Sequence, residues 1–400
     1  MKLSKYVLKI PYKSHIILYN TINDMIVVCS IKDFFNKSSK KLLVSNGFYE
    51  KDTILLEKYL KNLNKKRTSL DITISLTESC NLCCKYCSQS AVKNKSFITK
   101  DIINDIVRYI QICTENYGYK SVTIHLFGGE PLLMKKEILY LNDKLKELNI
   151  PINYYMDTNG LLITKEFVNK LDNITFCITL SEKTDHDNLR ITVGNLGSYD
   201  IIVNNIRNIQ SVLDDKHKMM IRYNVNHLNI KKFEEFLKEM QGYNINDIIV
   251  AYTNNYKQNE KTNKLSYQKY KKWNSKNVIP LLLKYGYPVE LPTSSYYCKG
   301  YERYSIKIFS DGTIGMCNAF DKNNSTINIK DVVLDYEKTG KLKENFKETR
   351  DFTKVIDEQC LKCKYLYICN GKYFCKENPC EFLDYNIEDY IKTYVKNTLK

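Results

Sequence analysis

The chain has 400 residues, 43% of them hydrophobic, with 61 Lys and Arg against 45 Asp and Glu for a net charge of +16; that length and apolar content suit packed cores in two or three domains. Its apolar runs, such as 16–19 and 25–29, are too short to span a bilayer, and no apolar stretch with a small-residue cleavage site follows the charged N-terminus, so a soluble cytoplasmic protein is expected. In such a reducing compartment the 14 Cys point to metal rather than to a disulfide framework.

Residues 1–70 hold 14 Lys or Arg and 5 Asp or Glu, a local excess of +9 that leaves +7 for the other 330 residues. The segment predicts two or three short strands and a helix over 53–63, a small basic unit suited to docking something acidic. No nucleic-acid-binding motif accompanies it. From residue 71, short β-branched runs alternate with helix-length amphipathic stretches, the pattern of βα units around a parallel sheet. The predicted strands are 71–76, 122–126, 152–156, 174–180, 219–225 and 248–252. Helical periodicity covers 100–116, 135–148, 199–213, 230–240 and 265–285. Six such units make an α/β fold, a partial (β/α)6 barrel over 71–290. Beyond it, 291–400 shows hairpin character at Asp311-Gly312 and seven cysteines.

In a parallel barrel, functional residues gather where the strands end, because the βα loops open on that face. Here Cys80, Cys84 and Cys87 follow the first strand, Gly128-Gly129-Glu130-Pro131 the second and Thr158-Asn159-Gly160 the third. Thr179 closes the fourth strand, and Asn224 and Asn226 close the fifth. Three thiolates spaced C-x3-C-x2-C can hold three irons of a [4Fe–4S] cluster and leave the fourth iron open. A zinc site needs a fourth protein ligand, and this loop offers none. Cys83, between two of the three, reads as a small buried side chain.

With Tyr86 directly before its last cysteine, this loop resembles the signature of the radical S-adenosylmethionine (SAM) superfamily, and the Gly-Gly-Glu-Pro run fits the same family. The resemblance implies that the backbone of Gly128, Gly129 and Glu130 approaches the SAM amino group, and that Tyr86, Thr158, Asn159 and Thr179 belong to the cofactor site. Residues 178–200 resemble a segment of the peptide-modifying members, with Ser181-Glu182 standing where those members have Asp-Gly. His186 in this segment reads as a brace for the loop rather than a ligand.

The tail carries Cys298, Gly312, Cys317, Cys360, Cys363, Cys369, Cys375 and Cys380, enough thiols for two metal sites. It resembles the SPASM extension of radical SAM enzymes. That resemblance assigns Cys298, Cys317 and Cys375 to one auxiliary [4Fe–4S] cluster and Cys360, Cys363, Cys369 and Cys380 to another. Tyr373 stands where the pattern has a cysteine, and two zinc-ribbon-like sites remain an open alternative. Cys29, Cys83, Cys113 and Cys177 are then left as core thiols.

The family implies an oxidoreductase that cleaves SAM reductively and takes hydrogen from a ribosomally made peptide, installing a crosslink such as a thioether. Its expected partners are a precursor peptide or protein and an electron donor such as flavodoxin or ferredoxin, with neither membrane nor nucleic acid. Three other readings stay open. Formylglycine maturation is disfavoured, because the position after Cys317, an acidic base in that type, is Asn318. The others are a small-molecule radical SAM dehydrogenase and a non-catalytic zinc- and nucleic-acid-binding protein.

Overall fold

Three antiparallel strands open the chain: β1 (Val7–Tyr12), β2 (His15–Asn20) and β3 (Met25–Ser30), lying side by side in that order. Side chains alternate across a strand, so the sheet has two distinct faces. Leu8, Ile10, Ile17 and Tyr19 pack with Ile391 and Val395 of the helix Ile387–Thr398. Val7, Ile16 and Leu18 pack on the other side with Leu43 and Phe48. Leu43 belongs to the helix Lys37–Ser45, which Asn36 caps by accepting the Ser38 N–H, and a longer helix, Asp52–Leu63, follows. Residues from the two ends of the sequence thus share one compact unit, formed by 1–66, 268–298 and 350–400.

The computed structural model describes residues 2–63, 67–87, 96–253, 264–291, 304–315, 326–342, 358–369 and 387–398. Cys298, Cys317, Cys375, Cys380, Asn318, Tyr373 and the side chain of Cys369 lie outside the described residues.

The second unit, 67–267 with 299–349, is built on an eight-stranded sheet. Its core is β4 (Ser69–Ser75), β5 (Ser121–Phe127), β6 (Ile152–Thr158), β7 (Ile174–Thr179), β8 (His217–Val225) and β9 (Asp247–Tyr252), all parallel and adjacent in chain order. This is the expected α/β architecture, with a parallel six-stranded core and a small N-terminal antiparallel sheet. The helices between strands follow their apolar spacing. In Lys100–Asn116, Ile103, Ile106, Tyr109, Ile110 and Cys113 are buried along one stripe, and the Thr99 hydroxyl caps the start by accepting the Ile102 N–H.

Two local expectations change. The periodic stretch over 265–285 is not one helix: a π-helical turn, Asn274–Val278, separates Tyr267–Trp273 from Ile279–Lys284. Pro280 lacks the N–H that a regular ladder would need there. The hairpin at Asp311-Gly312 also does more than begin the tail. Its strands β10 (Ile306–Ile308) and β11 (Ile314–Gly315) extend the main sheet, with β10 running parallel to β4. Among the described residues, no helix is long and apolar enough to cross a membrane.

Candidate functional site

The cysteine loop leaves β4 and is fixed by backbone on two sides. On one side lies the Gly-Gly turn after β5, where Gly129 N–H donates to Thr77 O at 2.7 Å and Glu130 N–H to Ser79 O at 2.9 Å. A Cβ on Gly128, whose φ is +138°, would lie 2.4 Å from Thr77 O, and one on Gly129 would lie 2.1 Å from Ser79 O. The glycines are therefore demanded first by contact between two protein segments. On the other side, Cys83 N–H donates to Ile191 O at 2.8 Å, Lys85 N–H to Leu189 O at 2.9 Å and Val193 N–H to Asn81 O at 3.4 Å. This short antiparallel ribbon makes side chains alternate: Leu82 and Cys84 are buried, Cys83 and Lys85 exposed. Cys83 is thus not the buried thiol expected from its neighbours. Cys113 and Cys177 are buried, and Cys29 is half-buried.

Glu130 is buried and acts as a clasp. Its carboxylate accepts from the Thr158 hydroxyl at 2.6 Å, Asn159 N–H at 2.7 Å and Leu132 N–H at 3.0 Å. Burial raises its pKa, and these three donors oppose that shift. The Thr158 hydroxyl is committed to Glu130 as donor and to Gly160 N–H as acceptor. Asn159 reaches the cysteine loop, donating from Nδ2 to Asn81 Oδ1 at 2.7 Å and to Cys80 Sγ at 3.7 Å. The geometry thus gives both residues bracing contacts in addition to their place on the cavity wall.

The cavity itself has a volume of about 500 Å³ and brings together Cys80, Cys84, Cys87, Tyr86, Gly128, Gly129, Thr158, Asn159 and Thr179. Glu130 stands behind it. Burial pushes the Cys80 thiol up to about 11 and raises Cys84 as well. Bound iron would reverse that cost, because thiols lose their protons to a metal. Leu82 N–H, 3.4 Å from Cys80 Sγ, is already placed to stabilise a thiolate. Three thiols on one wall, with N–H groups aimed at sulfur, fit the donor set of an iron–sulfur cluster.

Sequence reasoning gave no role to four charged or ionisable residues that line this cavity. Arg190, only 7% exposed, donates to Tyr86 Oη at 3.1 Å, while its Nε has no partner. Asn224 Nδ2 also donates to Tyr86 Oη, at 3.2 Å. Across the cavity, His125 Nε2 lies 2.8 Å from Asp157 Oδ2, and Arg222 Nη2 lies 3.6 Å from Asp157 Oδ1. Burial raises the Asp157 carboxyl, but the hydrogen bond from His125 and the charges of His125 and Arg222 hold it below its ordinary value. For His125, Asp157 and Arg222 a sequence signal was present: strands of a parallel sheet are normally apolar, and these positions are not.

In the 178–200 segment Thr179 and Arg190 line the cavity, and residues around them serve as scaffolding. His186 is fully buried, with Nε2 3.0 Å from Ser198 Oγ, and Asp187 accepts the Ser198 and Tyr199 N–H groups. Glu182, which replaces the family's glycine, caps the helix Lys183–Leu189 and pairs with Lys232 at 3.0 Å.

Residues 74–240 match the model of the Radical SAM superfamily. Over that stretch the chain is similar to the radical SAM superfamily. GTP 3',8-cyclase of Staphylococcus saprophyticus is 33% identical over 100 residues, 24% of this chain and 28% of that protein. A probable GTP 3',8-cyclase of Methanococcus aeolicus is 32% identical over 110 residues, 26% and 34% of the two chains. The match thus spans about a third or less of these relatives' length. Solved structures resemble more of this chain. Native anSMEcpe with bound AdoMet and a Kp18Cys peptide superposes with a TM-score of 0.63 over 82% of this chain and 98% of that one, at 19% identity. Streptococcus suis SuiB bound to the precursor peptide SuiA gives 0.55 over 97% and 98%, at 20% identity. At these identities the likeness is one of fold.

Proposed function

We propose that this protein is a radical SAM peptide maturase that removes hydrogen from a ribosomally made peptide and installs a crosslink. The observation that carries the reading is the cavity: three thiols share its wall with the Gly-Gly turn and a buried, incompletely paired arginine. Cys80, Cys84 and Cys87 would hold the [4Fe–4S] cluster. When bound, that cluster supplies the electron that splits SAM into methionine and the 5′-deoxyadenosyl radical, which takes a hydrogen atom from substrate.

The chain's own residues bind and shield. The N–H groups of Gly129 and Glu130 are spent on the cysteine loop, so the turn's carbonyls are what remain to accept from the SAM ammonium. Arg190 supplies a buried cation for the SAM carboxylate, held in place by Tyr86. Phe127, Tyr155 and Tyr252 line the cavity with aromatic surface and keep water from the reacting carbon.

Auxiliary clusters belong to the same proposal. Cys363 N–H donates to Cys360 O at 3.0 Å and Tyr365 N–H to Cys363 Sγ at 3.5 Å, a tight turn with an N–H on one of its two thiols. The basic N-terminal unit, with β3 at a sheet edge, supports docking of an acidic leader segment as an added strand. Anaerobic reconstitution is expected to load about three [4Fe–4S] clusters per chain and to yield 5′-deoxyadenosine under strong reductant. A peptide encoded beside the gene should lose the mass of two hydrogens per event on co-expression. Absence of SAM cleavage would sink the whole reading, and iron for a single cluster would sink its auxiliary part.

A further inference from the structure

The cavity holds a charged pair that the roles given to the cysteine loop and Arg190 do not use. Asp157 and Arg222 alternate with buried neighbours along β6 and β8 and line the cavity, their side chains 24% and 35% exposed. Arg222 Nη2 and Asp157 Oδ1 are 3.6 Å apart, too far for a hydrogen bond, while His125 takes the other carboxylate oxygen at 2.8 Å. A donor and an acceptor thus stand side by side without closing on each other. Burial opposes both charges, but Cys177 and Asp157 outweigh it at Arg222, and His125 and Arg222 outweigh it at Asp157, so both groups are ionised at neutral pH. Arg222 lies two residues, about 7 Å, before Asn224 on the same face of β8. Asn224 donates to Tyr86, so the pair sits one strand step from a group that holds the cysteine loop.

Opposite charges this close select against an ionised ligand, since an acidic group meets Asp157 and a basic one meets Arg222. An apolar group would leave donor and acceptor unsatisfied. What complements them is a neutral edge with an N–H and a carbonyl on the same side. One trans peptide unit directs these two groups oppositely. A primary carboxamide presents them together, and so do the N–H and C=O of a single residue in an extended chain. Resting on the peptide-maturase reading, we infer that Asp157 and Arg222 form a subsite for a neutral amide edge of the peptide substrate, its N–H donating to Asp157 and its carbonyl accepting from Arg222. The edge comes from an Asn or Gln side chain or from the main chain of one extended residue.

The test is anaerobic equilibrium dialysis of radiolabelled probes against the reconstituted full chain with SAM bound. Propionamide stands for the side-chain source and N-acetylglycine N-methylamide for the main-chain source, with propionate and propylamine as charged controls. At least one amide is expected to bind about tenfold or more tightly than either charged probe, and the tighter amide identifies the source. Arg222→Lys keeps the charge beside Asp157 but loses the planar fork, and should weaken that amide about tenfold. An ion pair with only a structural role would survive this change with amide binding intact, and should the variant not fold, the parent's own preference among the probes still decides. No amide binding by the parent, charged probes that bind as tightly, or unchanged amide binding in Arg222→Lys would overturn the inference. So would a SAM dissociation constant that rises in the variant as much as the amide's, which would assign the pair to the cofactor. A parent chain that binds no SAM would instead sink the radical SAM reading beneath it.

Discussion

At the scale of single residues, the cavity holds one carboxylate whose ionisation is built into the fold. Asp157 projects from β6 between His125 of β5 and Arg222 of β8, and these partners hold its carboxyl below the ordinary 3.8. The unfolded chain therefore takes up this proton before the native chain does. The stabilisation is complete above pH 3.8 and is lost as pH falls through the lower native value. Asp157→Asn should cost about 1.5–3 kcal/mol at neutral pH, the range for hydrogen bonds to a charged group, and should flatten the acid limb of the stability curve. Urea melts at a series of pH values would show this; parallel limbs for parent and variant would refute it. None of the trio was read as functional from sequence, since a lone His, Asp or Arg in a strand pattern gives no sign of its neighbours. Adjacency in a parallel sheet supplies what chain distance hides: 32 positions separate His125 from Asp157.

Between elements, the decisive contact is backbone on backbone. The Gly-Gly turn and the Thr77–Ser79 segment approach so closely that Gly129→Ala would put a methyl 2.1 Å from Ser79 O. Flexible side chains can move aside, but two hydrogen-bonded main chains cannot do so without opening the Gly129–Thr77 and Glu130–Ser79 bonds. The alanine variant should lose about 1–3 kcal/mol from overpacking and retain less iron after reconstitution, as read by melting and metal analysis. Full iron retention would show that the cysteine loop does not depend on this turn. This motif was legible because short spacing and glycine carry their own geometry: Cys80, Cys84, Cys87 and the turn meet on one cavity wall as their positions at strand ends required. The reason for the glycines was only half legible, because the segment they touch comes from another strand. Cys83 was misjudged for a related cause. Alternation along Leu82-Cys83-Cys84-Lys85 decides which thiol faces inward, and that alternation exists only because residues 189–193 pair with it.

At the scale of the whole molecule, the N-terminal segment shows how far sequence order can mislead about packing. Residues 1–70 look like a small separate unit, yet one face of their sheet is completed by Ile391 and Val395, from the far end of the chain. The Cys360-x2-Cys363 knuckle joins the same unit, since Leu361 O accepts from Tyr6 Oη at 2.9 Å and Lys5 Nζ at 3.2 Å. Tyr367, fully buried, meets Tyr6 and Tyr59 edge-on with ring centroids 4.4 Å apart in both pairs. A chain lacking residues 1–66 would expose Ile391, Val395 and Tyr367 to water, and a 12-residue helix is marginal without a packed face. Limited proteolysis of that truncation should cut within 358–398 at least about tenfold faster than in the full chain, because local opening governs cleavage. The parallel sheet over 69–252, which has its own core, should keep its protection in hydrogen exchange. Equal protection of Ile387–Thr398 in both chains would mean that the tail folds without the N-terminal sheet, and that a peptide docked on that sheet has no packed route to the cysteines of the tail.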